Sequence, residues 1–313
     1  SAWLVAIIYQ GFENCADVSW PIHMILPVSL MIGAIISHKA AKGRTSGYLL
    51  SYFLNALGSG CIIGALAGVK AIVCTADGDT YEYAQSAAKK CPQVEHLIMV
   101  GGAKDGWRDF DKEYSLFSNK FERTADTSCG DDTALMFFTS GTTGNPKMAA
   151  HKHTYALGHY VTAKYWHCCE RDGLHLTISD TGWGKSLWGK LYGQWLCEAA
   201  VFTFDLDNFS AREILQLIEQ YRITTFCAPP TVYRVMVRLN FQKYDLSSLE
   251  YVTTAGEAMN PEVSNKFTEA TGLQIMEGFG QTETTLTIAN LEGMTQKPGA
   301  MGKPSPLYKV QIH

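Results

Sequence analysis

The sequence predicts an α/β fold from Gly68 onward, with mostly parallel sheets flanked by helices. Two observations carry this reading: short β-rich runs recur along the chain, and helix-like segments with recognisable starts lie between several of them. The β-rich runs are Ala71–Cys74, Leu97–Val100, Leu135–Thr139, Val201–Phe204, Thr224–Ala228 and Tyr251–Thr254. The helical segments are Tyr81–Lys90, Ala211–Tyr221 and Pro261–Thr271. Ser210 stands where a side-chain oxygen caps the second, and Asn260 followed by Pro261 opens the third in N-cap-then-Pro order. At 313 residues the chain has material for one large domain or two ordinary ones.

Residues 1–67 read differently. They are apolar, poor in acidic groups and without a globular pattern, so they form an atypical segment ahead of a body at 68–313. The runs Ser19–Ser37 and Thr45–Val69 carry no formal charge, and each is long enough to be considered for a membrane span, which needs roughly 20 apolar residues. Pro21 and Pro27 interrupt the first, while Ser46, Ser51, Asn55 and Ser59 dilute the second, so membrane association is disfavoured and a cytoplasmic location expected. The cluster Gly58-Ser-Gly60-Cys-Ile-Ile-Gly64 is a near miss of the dinucleotide fingerprint. It lacks a good strand before it, and its spacing is off by one, so a nicotinamide site is a distant alternative.

Composition removes other classes. With a net charge of −4 and scattered Lys and Arg, no basic footprint for nucleic acid exists. The nine cysteines include no C-x-x-C pair and suit free thiols in a reducing compartment. His151 and His153 lack further ligands at metal spacing and read as structural or surface residues. No pattern in the chain sets an oligomeric state.

The strongest chemical signal is Thr139-Ser-Gly-Thr-Thr-Gly-Asn-Pro-Lys147, directly after the apolar strand. Gly141 and Gly144 let the backbone turn tightly and present N–H groups to an anion. Ser140, Thr142 and Thr143 add hydroxyl donors, and Lys147 supplies a point charge. The glycines stand too close for a Walker-type P-loop, and Met148 follows the Lys. Downstream come Thr254-Ala-Gly-Glu257, after a strand, and Met276-Glu-Gly-Phe-Gly-Gln-Thr-Glu283.

These three runs, in this order, resemble the acyl-adenylate-forming superfamily, most closely the short- and medium-chain acyl-CoA synthetases. The resemblance covers roughly three-quarters of the chain and implies its large N-terminal body, with the C-terminal lid domain and its Lys absent from this sequence. It implies that residues Thr139 to Gly144 and Lys147 bind phosphate. Gly256, Glu257 and Ala258 are then one wall of the adenine slot, with Glu277, Gly278, Phe279 and Gly280 opposite; Phe279 stacks on the base and Glu277 lies near its amine. Thr282 matches the hydroxyl on the α-phosphate, and Glu283 the carboxylate that holds Mg²⁺. Ser179-Asp-Thr-Gly-Trp-Gly-Lys185 resembles the stretch in which a Trp, here Trp183, lines the acid pocket. The implied reaction activates a small or medium-chain carboxylic acid with ATP to an acyl-adenylate and pyrophosphate, then transfers the acyl group to coenzyme A with release of AMP. The alternative is a catalytically incomplete nucleotide-binding member of the same family.

Overall fold

Period-two alternation organises the strands, because successive side chains point to opposite faces of a sheet. In the computed structural model, the described residues are 4–7, 68–76, 80–139, 147–179, 184–204, 209–297 and 299–311. They fall in two compact units, Ser1–His153 with Asp180–Trp183, and Thr154–Ser179 with Gly184–His313. The uncharged runs over 19–37 and 45–67 and the Gly58–Gly64 cluster lie outside the described residues. Among the described residues, no helix is long and apolar enough to cross a membrane.

The first unit contains a four-stranded sheet in the order β1 (Leu4–Ile7), β2 (Ala71–Thr75), β3 (His96–Val100), β4 (Arg108–Asp109). β1 runs antiparallel to β2, and the other pairs are parallel. Helix α1 (Thr80–Lys90) has Lys89 and Lys90 in its last turn, where positive charge complements the helix dipole. Ile72, Cys74, Ala84, Met99 and Trp107 form the core of this unit with Val69 and Met136. Trp107 donates its indole N–H to Gln85 Oε1 at 2.6 Å, which satisfies the polar end of a buried ring. The short helix α2 (Phe110–Glu113) follows β4 and is capped by Asp109.

β5 (Thr133–Thr139) and β6 (Lys147–Lys152) form a separate antiparallel two-stranded ribbon. The sequence expectation of strand–helix alternation anticipates parallel pairing, and here the structure differs. An apolar run marks a strand but does not encode its partner, and a short Gly-rich connection permits a return only in the antiparallel sense.

The second unit is built on a seven-stranded sheet. Its strands are β7 (Leu174–Thr177), β8 (Ala200–Val201), β9 (Thr225–Cys227), β10 (Tyr251–Ala255), β11 (Ile275–Gly280), β12 (Leu286–Ala289) and β13 (Lys303–Pro304), in the order β13-β12-β11-β10-β9-β7-β8. The run β8–β7–β9–β10–β11 is parallel, and β12 and β13 are antiparallel additions. One face packs Leu176, Phe226, Val252 and Ile275 against Ile214, Leu215 and Ile218 of α6 (Ala211–Tyr221), Val232, Tyr233 and Met236 of α7 (Pro230–Met236), and Phe267 of α8 (Pro261–Thr271). The opposite positions, Cys227, Ala255 and Met276, pack with Trp166, Leu286 and Ala289.

Local chemistry sets the helix bounds. Ser210 Oγ accepts from Glu213 N–H at 3.3 Å, and Asn260 Oδ1 from Glu262 N–H at 2.9 Å. Gly272 ends α8 at φ +76°, a left-handed cap that glycine adopts without a Cβ penalty. On the Trp166 side, α3 (Tyr155–Val161) passes into a π-helical turn over Thr162–Trp166. A second π-helical turn, Trp188–Tyr192, joins α4 (Lys185–Leu187) to α5 (Gly193–Leu196).

Candidate active site

In parallel α/β sheets, ligands sit beyond the carboxyl ends of the strands. Those ends on β10 and β11 carry two of the three sequence motifs. The register pairs Thr254 with Glu277 and Ala255 with Gly278, so Gly256 and Phe279 follow as neighbours at the strand ends. Gly256 has φ +107° and nothing within 4 Å of where a Cβ would stand, which leaves open space over exposed backbone. Glu257 and Ala258 beside it are exposed.

Glu277 joins the two motifs. Its side chain is buried, and Oε2 accepts a hydrogen bond from Met259 N–H at 3.1 Å, which staples the loop after β10 to β11. Burial pushes its carboxyl above the usual range, with the Met259 N–H pulling the other way. Phe279 points its ring outward and is 36% exposed, so a flat face is available for stacking. Gly278 has a packing reason to be glycine. A Cβ there would lie 2.7 Å from Trp166 Cε2 and Cζ2, and the Trp166 indole N–H donates to Met276 O at 3.3 Å.

Thr282 and Glu283 sit on the turn Gln281–Thr285 between the antiparallel strands β11 and β12. The pairing register shifts at Phe279/Gly280, an irregularity of the kind that re-aims side chains at strand ends. At Gly280 a Cβ would stand 2.7 Å from Thr285 O, so only glycine lets the turn close this tightly. Thr282 is partly buried and Glu283 exposed. Among the described residues, no group of three His, Cys, Asp or Glu side chains gathers as a metal site. A Mg²⁺ that keeps several waters and binds through one carboxylate and phosphate oxygens fits this donor set.

Beneath the strand ends lies a buried polar layer that the sequence reading did not single out. Lys185 is 7% exposed, and its ammonium donates to Ala255 O at 3.2 Å, directly before Gly256. His167 Nδ1 bonds with Thr253 Oγ1 at 2.8 Å, and His175 bonds with Thr225 through Nδ1 and with Thr177 through Nε2, both at 2.7 Å. Burial holds His175 down to about 3, with its contact to the Gly189 carbonyl raising it and Lys190 lowering it further. His167 lies well below the usual imidazole value through burial, then through His175, Lys185 and His159. Both rings are therefore neutral at physiological pH. Lys185 closes the run Ser179–Lys185 singled out for Trp183, but without a role of its own, and isolated histidines carry no periodic signal, so nothing in the sequence marked the layer as a unit.

Other expected site residues fall in the first unit or outside the described residues. Lys147 is exposed at the start of β6, paired in register with Thr139 at the end of β5, so the phosphate-type run is the connection of this ribbon. Ser140, Gly141, Thr142, Thr143, Gly144 and Trp183 lie outside the described residues. His151 packs edge-on against Phe137 at 5.9 Å between centroids, and His153 is exposed. Among the described cysteines, Cys74, Cys91, Cys169 and Cys227 are buried and Cys129 is exposed, all as free thiols.

Comparison with known proteins gives the family. The chain is 40% identical over 229 residues to the human acyl-coenzyme A synthetase ACSM3, mitochondrial, covering 72% of this chain and 39% of that protein. To human ACSM4, also mitochondrial, it is 35% identical over 253 residues, covering 80% of this chain and 43% of the relative. The chain thus spans about two-fifths of the length of the curated relatives it matches. Among solved structures, the anthranilate CoA ligase AuaEII in complex with anthranoyl-AMP superposes with a TM-score of 0.71 at 25% identity, covering 80% of this chain and 48% of that one. A luciferase-like enzyme from the mealworm Zophobas morio shares the fold, with a TM-score of 0.67 at 23% identity over 80% of this chain and 59% of that one. The model of the AMP-binding enzyme family matches residues 43–313, and the chain belongs to that family.

Proposed function

We propose that this chain is the ATP-binding body of an acyl-CoA ligase that activates a small or medium-chain carboxylic acid. The observation that carries the reading is the junction of two motifs at neighbouring parallel strand ends. Glu277 staples the Gly256–Ala258 loop to β11, beside an exposed aromatic ring and the Thr282–Glu283 turn. This matches a slot for a flat base whose phosphates reach toward a hydroxyl and a carboxylate.

In the first half-reaction a carboxylate oxygen of the acid attacks the α-phosphorus of ATP. The bond to the β-phosphate breaks, pyrophosphate leaves, and an acyl-adenylate forms. In the second, the thiol sulphur of coenzyme A attacks the acyl carbonyl, and AMP leaves. The protein's part is positioning and charge neutralisation rather than nucleophilic catalysis. Thr282 donates to the α-phosphate. Ser140, Thr142, Thr143 and the backbone of Thr139, Gly141 and Gly144 cradle phosphate oxygens with Lys147. Phe279 stacks on adenine over Gly256, and Trp183 bounds the acid. Glu283 is the residue that would hold Mg²⁺, which supplies neutralisation of phosphate charge. Free thiols suit a reducing compartment; the sequence expectation is the cytoplasm, whereas the names of the relatives read mitochondrial.

Thermal unfolding with a non-hydrolysable butyryl-adenylate mimic tests this reading, with NAD as control ligand. At about 100-fold over its Kd, a ligand that binds only the native state adds about 2.7 kcal/mol, enough to raise Tm by several degrees. The rise is expected with the mimic alone, and its loss in the Thr282→Ala, Lys147→Ala double variant. A cooperative transition that the mimic leaves unmoved would refute adenylate binding.

A further inference from the structure

The turn that carries Thr282 and Glu283 is closed by its own hydrogen bonds. Thr284 N–H donates to Gln281 O at 3.1 Å, Gln281 N–H donates to Thr284 Oγ1 at 3.0 Å, and the Thr284 hydroxyl donates to Thr285 O at 2.9 Å. These bonds shape the turn but do not fix it to the rest of the second unit. Two tyrosines far away in sequence do so. Tyr155, the first residue of α3, donates its hydroxyl to Thr284 O at 3.0 Å. The Tyr308 hydroxyl accepts from Thr285 N–H at 2.7 Å and shares a second hydrogen bond with Thr285 Oγ1 at 3.0 Å.

Both tyrosines stand on supports of their own. At Gly158, in α3, a Cβ would meet Thr285 Cγ2 at 3.2 Å, so the helix lies close against the turn. The segment leading to Tyr308 is pinned to β12. Ser305 N–H donates to Thr287 O at 2.7 Å, and Asn290 Nδ2 to Ala300 O at 3.2 Å. At Gly302 a Cβ would fall 2.0 Å from the Ala289 carbonyl carbon, so the two backbones are in direct contact.

We propose that Tyr308 and Tyr155 are positioning residues of the reaction centre, gripping the Gln281–Thr285 turn so that Thr282 and Glu283 face the nucleotide phosphates in a fixed geometry. This rests on the nucleotide reading of those two residues given above. Catalysis by charge neutralisation requires donors that are set before the substrate arrives, and a hairpin tip left to its own bonds does not meet that need. The grip acts on the phosphate side alone. The adenine wall at Gly256 and Glu277 is held separately, through Met259.

Tyr308→Phe and Tyr155→Phe, each removing one hydroxyl, test the role in this chain. Binding of adenosine is compared with binding of ATP in the presence of Mg²⁺, by ligand-observed NMR and calorimetry. Each variant is expected to weaken Mg²⁺–ATP about five- to tenfold, the equilibrium equivalent of one lost hydrogen bond, while adenosine affinity stays within twofold. Equal weakening of both ligands would mean a general structural role and overturn the proposal. So would unchanged ATP affinity in both variants beside a binding wild type. A wild type that binds neither ligand would overturn the nucleotide reading itself, and this role with it. Tyr155→Phe carries the test where Tyr308→Phe fails to fold.

Discussion

At the scale of single residues, the buried histidines make the most direct claim about solution behaviour. His175 has both ring nitrogens hydrogen-bonded and no exposure to speak of, and His167 lies 4.7 Å from it between ring centroids. Their folded pKa values are depressed below that of an unfolded histidine, near 6.5. A depressed group contributes stability that is present above its unfolded pKa and is lost as pH falls toward its folded value. Stability is therefore expected to decline as pH drops below about 6.5, by up to about 1.4 kcal/mol per pH unit for each histidine. Glu277 works in the opposite sense, because its carboxyl is raised by burial, so its contribution is lost as pH rises through the folded value. Urea unfolding at pH 5, 6 and 7 isolates the imidazole effect when His175→Gln is compared with the wild type, since Glu277 is common to both. The variant is expected to be less stable at pH 7 and to show a shallower slope. Parallel slopes would show that His175 does not titrate between the folded and unfolded states.

At the scale of elements, β11 shows how one strand serves packing and chemistry on alternate positions. Met276 and Gly278 face Trp166, while Ile275 packs against Phe267 and Glu277 reaches the Met259 amide. A methyl group at Gly278 would press on the indole ring and on Leu286 Cδ1, 2.9 Å away. Gly278→Ala is thus expected to cost about 1–3 kcal/mol by overpacking, read as a lower urea midpoint with an unchanged slope. An unaltered midpoint would show that the indole retreats freely. What was legible at this scale was local. Ser210, and Asn260 followed by Pro261, fixed the starts of α6 and α8 because capping is decided within a few residues. Gly278 and Gly280 are glycines because close approach excludes a side chain, and Gly256 because its φ of +107° favours a residue without Cβ. The pairing of β5 with β6 is local, but strand–helix alternation along the chain pointed to parallel partners and hid it. The grip of Tyr155 and Tyr308 on a turn more than 20 residues from either depends on long-range contacts that no short sequence window contains. The layer of His167, His175 and Lys185 escaped notice for a related reason. A buried polar residue has the same letter as a solvated one, and only its partners distinguish the two.

At the scale of the whole molecule, the described residues of the two units form cores of different extent. The core of the second is continuous from β7 to β11 and draws on three helices, whereas that of the first gathers around β2, β3 and α1. Local opening costs more where more apolar surface must be exposed, so stability is not expected to be uniform along the chain. Amides of β9, β10 and β11 should exchange most slowly with solvent, because each of these strands is paired on both sides and covered on both faces. Those of β5 and β6 should exchange faster than these, since among the described residues neither strand has a second neighbour. Hydrogen exchange followed by mass spectrometry checks the order. The same contrast bears on how the site is built. Gly256, Glu277 and Thr282 are carried by the strands expected to open most slowly and the turn that leaves them, so the geometry of the proposed nucleotide site is inherited from the deepest part of the sheet. Lys147 begins β6, so the described strands β5 and β6 are the ones expected to gain most protection from a bound phosphate. Adding the butyryl-adenylate mimic should accordingly slow exchange in 133–152 by a larger factor than in 251–280. Equal protection of both segments would indicate that β5 and β6 gain no more from the ligand than the central strands do.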